Sequence, residues 1–158
     1  MKTNYLFPYQ IKKIGWILFI PGIILGFFFL IDQSEPNFLN VTVFSIARQA
    51  IFDDNVFFTL TQDNILDEII GLLLIIGAIL IAFSKEKFED EFISKIRLES
   101  LVWAIYLNYA VLILAIIFIY DMTFFWVIVL NMFTLLFFFI FRFNWALIKS
   151  KKQIRDEE

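Results

Sequence analysis

Cysteine and histidine are both missing from this 158-residue chain. Their absence removes disulfides, thiolate and imidazole metal sites, Cys/His nucleophile pairs and histidine-ligated haem together. Positive charge is missing from one long segment. Residues 32–68 hold Arg48 alone, against Asp32, Glu35, Asp53, Asp54, Asp63, Asp67 and Glu68. The familiar catalytic signatures are absent too: there is no phosphate loop, nucleophile elbow or zinc-binding helix motif.

What is present is hydrocarbon. Hydrophobic residues make up 61% of the chain, 22 of them Phe, and mean hydropathy is +0.81. A water-soluble domain holds roughly 45–50% apolar residues, so the composition predicts an integral membrane protein. Membrane-crossing helices need about 20 mainly apolar residues. Four stretches approach this, giving spans at 14–31, 65–83, 101–120 and 122–141. The second reaches span length only by including Ile65 and Leu66, with Asp67 and Glu68 at headgroup level. The expected fold is an all-α membrane domain: a four-helix antiparallel bundle over residues 1–158. The first run lacks a small-x-small cleavage site and is long for a signal core, so it reads as an uncleaved anchor.

Lysine and arginine set the orientation. Every basic residue except Arg48 falls in the N-terminal segment, in residues 84–100 or in a tail at 142–158. Those segments are expected in the cytoplasm, with both termini, and the loop 32–64 is expected to be exported. Trp16, Trp103 and Trp145 then lie near the inner surface, and Tyr120 and Trp126 near the outer one. The exported loop is too long for a bare connection. Val41, Val43 and the alternation from Val56 to Thr61 predict short strands, with Asp53-Asp54-Asn55 as a turn. A small hairpin on the outer face follows, with SIARQAIF as an alternative helical turn. Asp63 or Asn64 can cap the next helix, whose first-turn Asp67 and Glu68 suit its dipole; a cation site with Asp53 and Asp54 lacks any recognised ligand spacing.

Within the spans, Pro21 interrupts the first helix's hydrogen bonds, and Gly22 and Gly26 form a GxxxG pair. Such a pair serves either a dimer seam or packing inside one bundle, and the second is expected. The turn Tyr120-Asp-Met-Thr123 forces spans three and four into an antiparallel hairpin. It brings Asn108 and Asn131 to similar depth, where two amides can satisfy each other. Glu99 and Arg142 can meet at the inner end in the same way, unless Arg142 snorkels.

The segment 84–100, SKEKFEDEFISKIRLES, carries four basic and five acidic residues. A helical wheel gathers Phe88, Phe92, Ile93 and Ile96 on one face, with Glu89 among them. Opposite charges recur at i,i+4 as Lys87–Glu91, Glu91–Lys95 and Lys95–Glu99. An amphipathic cytoplasmic helix is predicted between spans two and three. Its mixed charge does not suit anionic lipid. It reads either as a solvated connector or as a docking surface at Glu89, Asp90, Glu91, Lys95 and Arg97.

The run FSKEKFEDEFISKIRLESLVWAIYLNYA, the Asp121 turn and NMFTLLFFFIFRFNWALIKSKK together resemble small four-span membrane proteins of Bacteroidota genomes. The resemblance covers roughly residues 67–152. It implies a bacterial inner membrane and supplies no mechanism.

The expected function comes by elimination. An enzyme needs proton-transferring, nucleophilic or metal-binding groups gathered together, and none are evident; no cofactor, metal or nucleic acid is expected. Ion pathways show buried ionisable groups, whereas these span centres offer two amides. The leading expectation is a non-catalytic accessory, sensor or scaffold protein that docks a cytoplasmic partner. A small transporter or channel component, acting as a homo-oligomer in the bilayer, is the alternative.

Overall fold

A computed structural model describes residues 5–32, 36–48, 56–87 and 89–157. The chain is mostly helical, with a β-hairpin inserted after the first helix. Helix α1 spans Tyr9–Asp32. A single 3-10 turn (Asn37–Leu39) leads into strands β1 (Asn40–Arg48) and β2 (Val56–Asn64). Helices α2 (Leu66–Ala82), α3 (Glu91–Phe118) and α4 (Asp121–Glu157) follow.

Three helices, α1, α3 and α4, are long and apolar enough to cross a membrane. The fourth is shorter: α2 has 17 residues, or about 25 Å at 1.5 Å per residue, against a hydrocarbon core of about 30 Å. The weak second stretch of the sequence thus yields a short helix. Nor is the fold wholly α-helical, because the hairpin is built from two nine-residue strands. The strands pair antiparallel from Asn40↔Asn64 to Arg48↔Val56. The ladder has no Ile46↔Phe58 rung, and Phe58 there has φ 54°, a strained conformation for a bulky side chain. Ser45 to Arg48 belong to β1, so the helical-turn alternative fails there; the turn at 53–55 lies outside the described residues.

The helices associate as two antiparallel pairs. In the first, α1 and α2 approach closely because glycine lines the seam. A Cβ on Gly77 would sit 2.8 Å from the Phe19 backbone nitrogen, and one on Gly15 would sit 3.0 Å from the Gly77 carbonyl oxygen. Gly22 and Gly26 face Leu74 and Ile70 of the same chain, so the GxxxG pair packs within the molecule. In the second pair, α3 turns into α4 through Ile119 and Tyr120 alone. Asp121 absorbs the reversal at φ 58°, a conformation Asp tolerates better than most residues.

The two pairs meet over a core of Phe19, Ala78, Ile81 and Ala82 from the first and Ala104, Phe139, Ile140, Phe143 and Leu147 from the second. The Phe19 and Phe137 rings meet edge to face at 5.1 Å. From that level the pairs are joined toward the end that carries residues 83–97. In the other direction, toward the hairpin, an apolar cleft of about 920 Å³ lies between them.

One expectation for the charged segments is corrected. Residues 84–87, 89 and 90 are not helical, and no separate amphipathic helix spans 84–100; helix begins only at Glu91 and runs without a break into the third span. Asp90 starts it, accepting a hydrogen bond from the Ile93 amide at 2.8 Å, the usual device for freeing a chain from preceding extended backbone. The segment expected as a tail from residue 142 is helical as far as Glu157, because α4 continues through it as one 37-residue helix.

Candidate functional site

The chain leaves the helical path after Phe83 because its backbone there is satisfied elsewhere. The Phe7 amide donates to the Phe83 carbonyl and the Lys85 amide donates to the Phe7 carbonyl, each at 2.9 Å. The segment before α1 therefore lies beside Ser84 as a single parallel bridge. The last turn of α2 leaves carbonyls without intrahelical donors, and Arg97 of α3 supplies them. Its guanidinium donates to the carbonyls of Ala82 (3.0 Å) and Ser84 (3.1 Å). Its other terminal nitrogen, Nη2, donates to both oxygens of the Glu89 carboxylate at 3.0 and 2.9 Å. Glu89 in turn accepts from the Glu86 amide at 2.8 Å, and Glu86 pairs with Lys12 of α1.

An aromatic stack completes this node. Phe83, Phe139 and Phe143 follow one another with near-parallel rings at 6.2 and 5.8 Å. Arg97 stands 4.7 Å over the Phe143 ring and Lys12 stands 5.9 Å over it. All four helices are thereby tied by charge, hydrogen bonds and stacking at one end. Arg97 is 7% exposed, so its electrostatics are those of a nearly buried, multiply bonded ion pair rather than a surface one.

The sequence-predicted site residues divide accordingly. Glu89 and Arg97 come together and point inward. Asp90, Glu91, Lys95 and Glu99 are exposed on the start of α3. Glu99 and Arg142 do not pair; Arg142 instead lies 5.1 Å over the Trp103 ring, because a guanidinium gains from an aromatic face as well as from a carboxylate. Asn108 and Asn131 do meet at matching depth, with a different bond from the one expected. The Asn131 side chain donates to the backbone carbonyl of Asn108 at 3.3 Å, while the Asn108 side-chain oxygen is buried without a partner.

Sequence reasoning missed Lys12, Glu86, Phe139 and Phe143 as members of the node. One signal was available: Glu89 lies on the apolar face of the helical wheel, a position that demands a partner. It also missed the role of Asn64, which does not act as a simple cap. Its amide nitrogen donates to the Pro36 carbonyl (3.0 Å) and to the Asn40 side chain (2.7 Å), and its oxygen accepts from the Leu66 amide (3.1 Å). The base of the hairpin is thus locked to the start of α2.

Among the described residues no group of acidic side chains is arranged to hold a metal ion. In comparison with known proteins, the chain matches no family model, no curated protein and no solved structure.

Proposed function

We propose that the protein is a non-catalytic accessory protein of a bacterial cytoplasmic membrane whose charged end is a rigid platform for a cytoplasmic protein partner. The observation that carries this reading is the excess length of α3 and α4 at the node end. With 28 and 37 residues they extend for about 42 and 55 Å, well beyond a hydrocarbon core of about 30 Å. A pair of helices leaving the membrane is useful for docking only if its direction is fixed. Arg97 binds α3 to the end of α2 through the Ala82 carbonyl and to the connector through Glu89, and Lys12 of α1 holds the same connector through Glu86. The docking set is then narrower than the sequence suggests. Glu89 and Arg97 hold the platform, whereas Asp90, Glu91 and Lys95 face outward. Asp90 also caps α3, which leaves Glu91 and Lys95 as the contacts free to serve a partner. The cytoplasmic side follows from the distribution of lysine and arginine.

The test is affinity purification from source membranes in mild detergent, comparing the unaltered chain with Glu91→Lys/Lys95→Glu. A stoichiometric soluble protein recovered with the first and lost with the second is the expected result. Recovery of the same protein with both, or of none with either, overturns the reading.

A further inference from the structure

The cleft between the helix pairs has one chemistry along its walls and another at its mouth. Ile23, Phe27 and Leu30 of α1, Ile70 and Leu74 of α2, and Leu130, Phe133 and Phe137 of α4 line it. The one ionisable residue in the lining is Asp67, in the first turn of α2 beside the hairpin junction. Gly71, one turn deeper, has open space where its Cβ would be, whereas each of the other four glycines meets an atom within 4 Å. The void is therefore at Gly71. Its lining on α4 begins at Trp126, and from there to Phe137, where the pairs meet, is about 17 Å at 1.5 Å per residue, more than the roughly 15 Å depth of one leaflet. Its 920 Å³ falls at the upper end of ligand cavities, about 300–1,000 Å³.

We propose that this cleft binds one phospholipid with a primary-amine headgroup, its acyl chain beside Gly71 and its ammonium donating to the Asp67 carboxylate. A protein helix is the poorer occupant. Close helix contact in membranes uses small side chains, and here Gly15, Gly22, Gly26 and Gly77 are spent on the α1–α2 seam while Phe27, Phe133 and Phe137 form the cleft walls. A flexible hydrocarbon chain fits between large rings without needing a flat seam. Asp67 in the lining, with Glu68 beside it in the same first turn, selects the headgroup, because an ammonium donates hydrogen bonds and a trimethylated amine does not. The inference needs the chain to lie in a bilayer but is independent of any cytoplasmic partner.

The full chain, delipidated in detergent, is offered equimolar dioleoyl phosphatidylethanolamine and dioleoyl phosphatidylcholine, and retained lipid is counted by native mass spectrometry. One retained lipid is expected, with about fivefold preference for the ethanolamine headgroup, the size of a partly exposed ion pair. Asp67→Asn should keep the lipid and lose the preference. Gly71→Phe and, from the opposite wall, Leu130→Trp should each reduce retention of both lipids while thermal unfolding stays cooperative. Equal retention of the two lipids by the unaltered chain, or unchanged retention in both filled variants, overturns the proposal. So does a protein dimer that excludes lipid from the cleft.

Discussion

Replacing Arg97 with methionine tests the node most directly. Methionine keeps much of the length and apolar bulk of the stem but removes all four donated hydrogen bonds: two to the Glu89 carboxylate and two to the carbonyls of Ala82 and Ser84. Both partners are largely shielded, with side-chain exposures of 8% for Arg97 and 15% for Glu89. Removing one partner of such a pair strands the other charge, at a cost of about 3–5 kcal/mol. Arg97→Lys keeps the charge but cannot reproduce the planar fork, and should fall between the two. Glu89→Gln keeps one acceptor and should cost about 1.5–3 kcal/mol. The double variant Arg97→Met/Glu89→Gln should cost clearly less than the sum, because neither change then leaves a charge uncompensated. Reversible unfolding in mixed micelles, followed by far-UV circular dichroism, gives each free energy. A loss below about 1 kcal/mol for Arg97→Met, the range of an exposed pair, would refute the reasoning. Strict additivity in the double variant would refute it as well.

Two further outcomes follow from particular contacts. Gly77→Ala should destabilise the α1–α2 pair by about 1–3 kcal/mol, because its Cβ meets the Phe19 backbone, whereas Gly71→Ala should be neutral or stabilising by up to about 1 kcal/mol; the same micellar unfolding measurement separates them. Asn131→Leu should cost about 0.6–1.7 kcal/mol, while Asn108→Leu should cost little or stabilise, since Asn108 contributes its backbone carbonyl and its side-chain oxygen is unpartnered; equal losses from both would indicate an amide–amide pair.

Much of the architecture was legible because it rests on local rules. Apolar length gave the helices, period-two alternation gave the hairpin, and a four-residue turn gave the antiparallel α3–α4 pair with Asn108 and Asn131 level. The second of the four expected spans was read too generously: its apolar run needed Ile65 and Leu66 to approach span length, and helix begins at Leu66 and ends at Ala82. Residues 84–90 were not legible. The i,i+4 charge pairs run from Lys87 into α3 and so extend the helical pattern back toward it, and only tertiary partners overrule that: the Phe7 backbone that pairs beside Ser84, and the Ala82 and Ser84 carbonyls that accept from Arg97. Periodicity assigned Arg97 to a solvated face because it counts neighbours along a helix and not across a bundle. Arg142 misled for the opposite reason. A carboxylate at similar depth looked sufficient, but the guanidinium lies over the Trp103 ring instead.

Fastening the helix pairs at one extremity and leaving hydrocarbon space between them at the other gives the molecule the mechanics of tongs. A relative displacement that preserved the node would turn about the fastened tip, and a swing of only about 10° over the 25 Å of α2 would shift its far end by about 4 Å. Because Asn64 latches the hairpin to that far end, the strands would travel with it, and the gape beside Gly71 would widen or narrow in step.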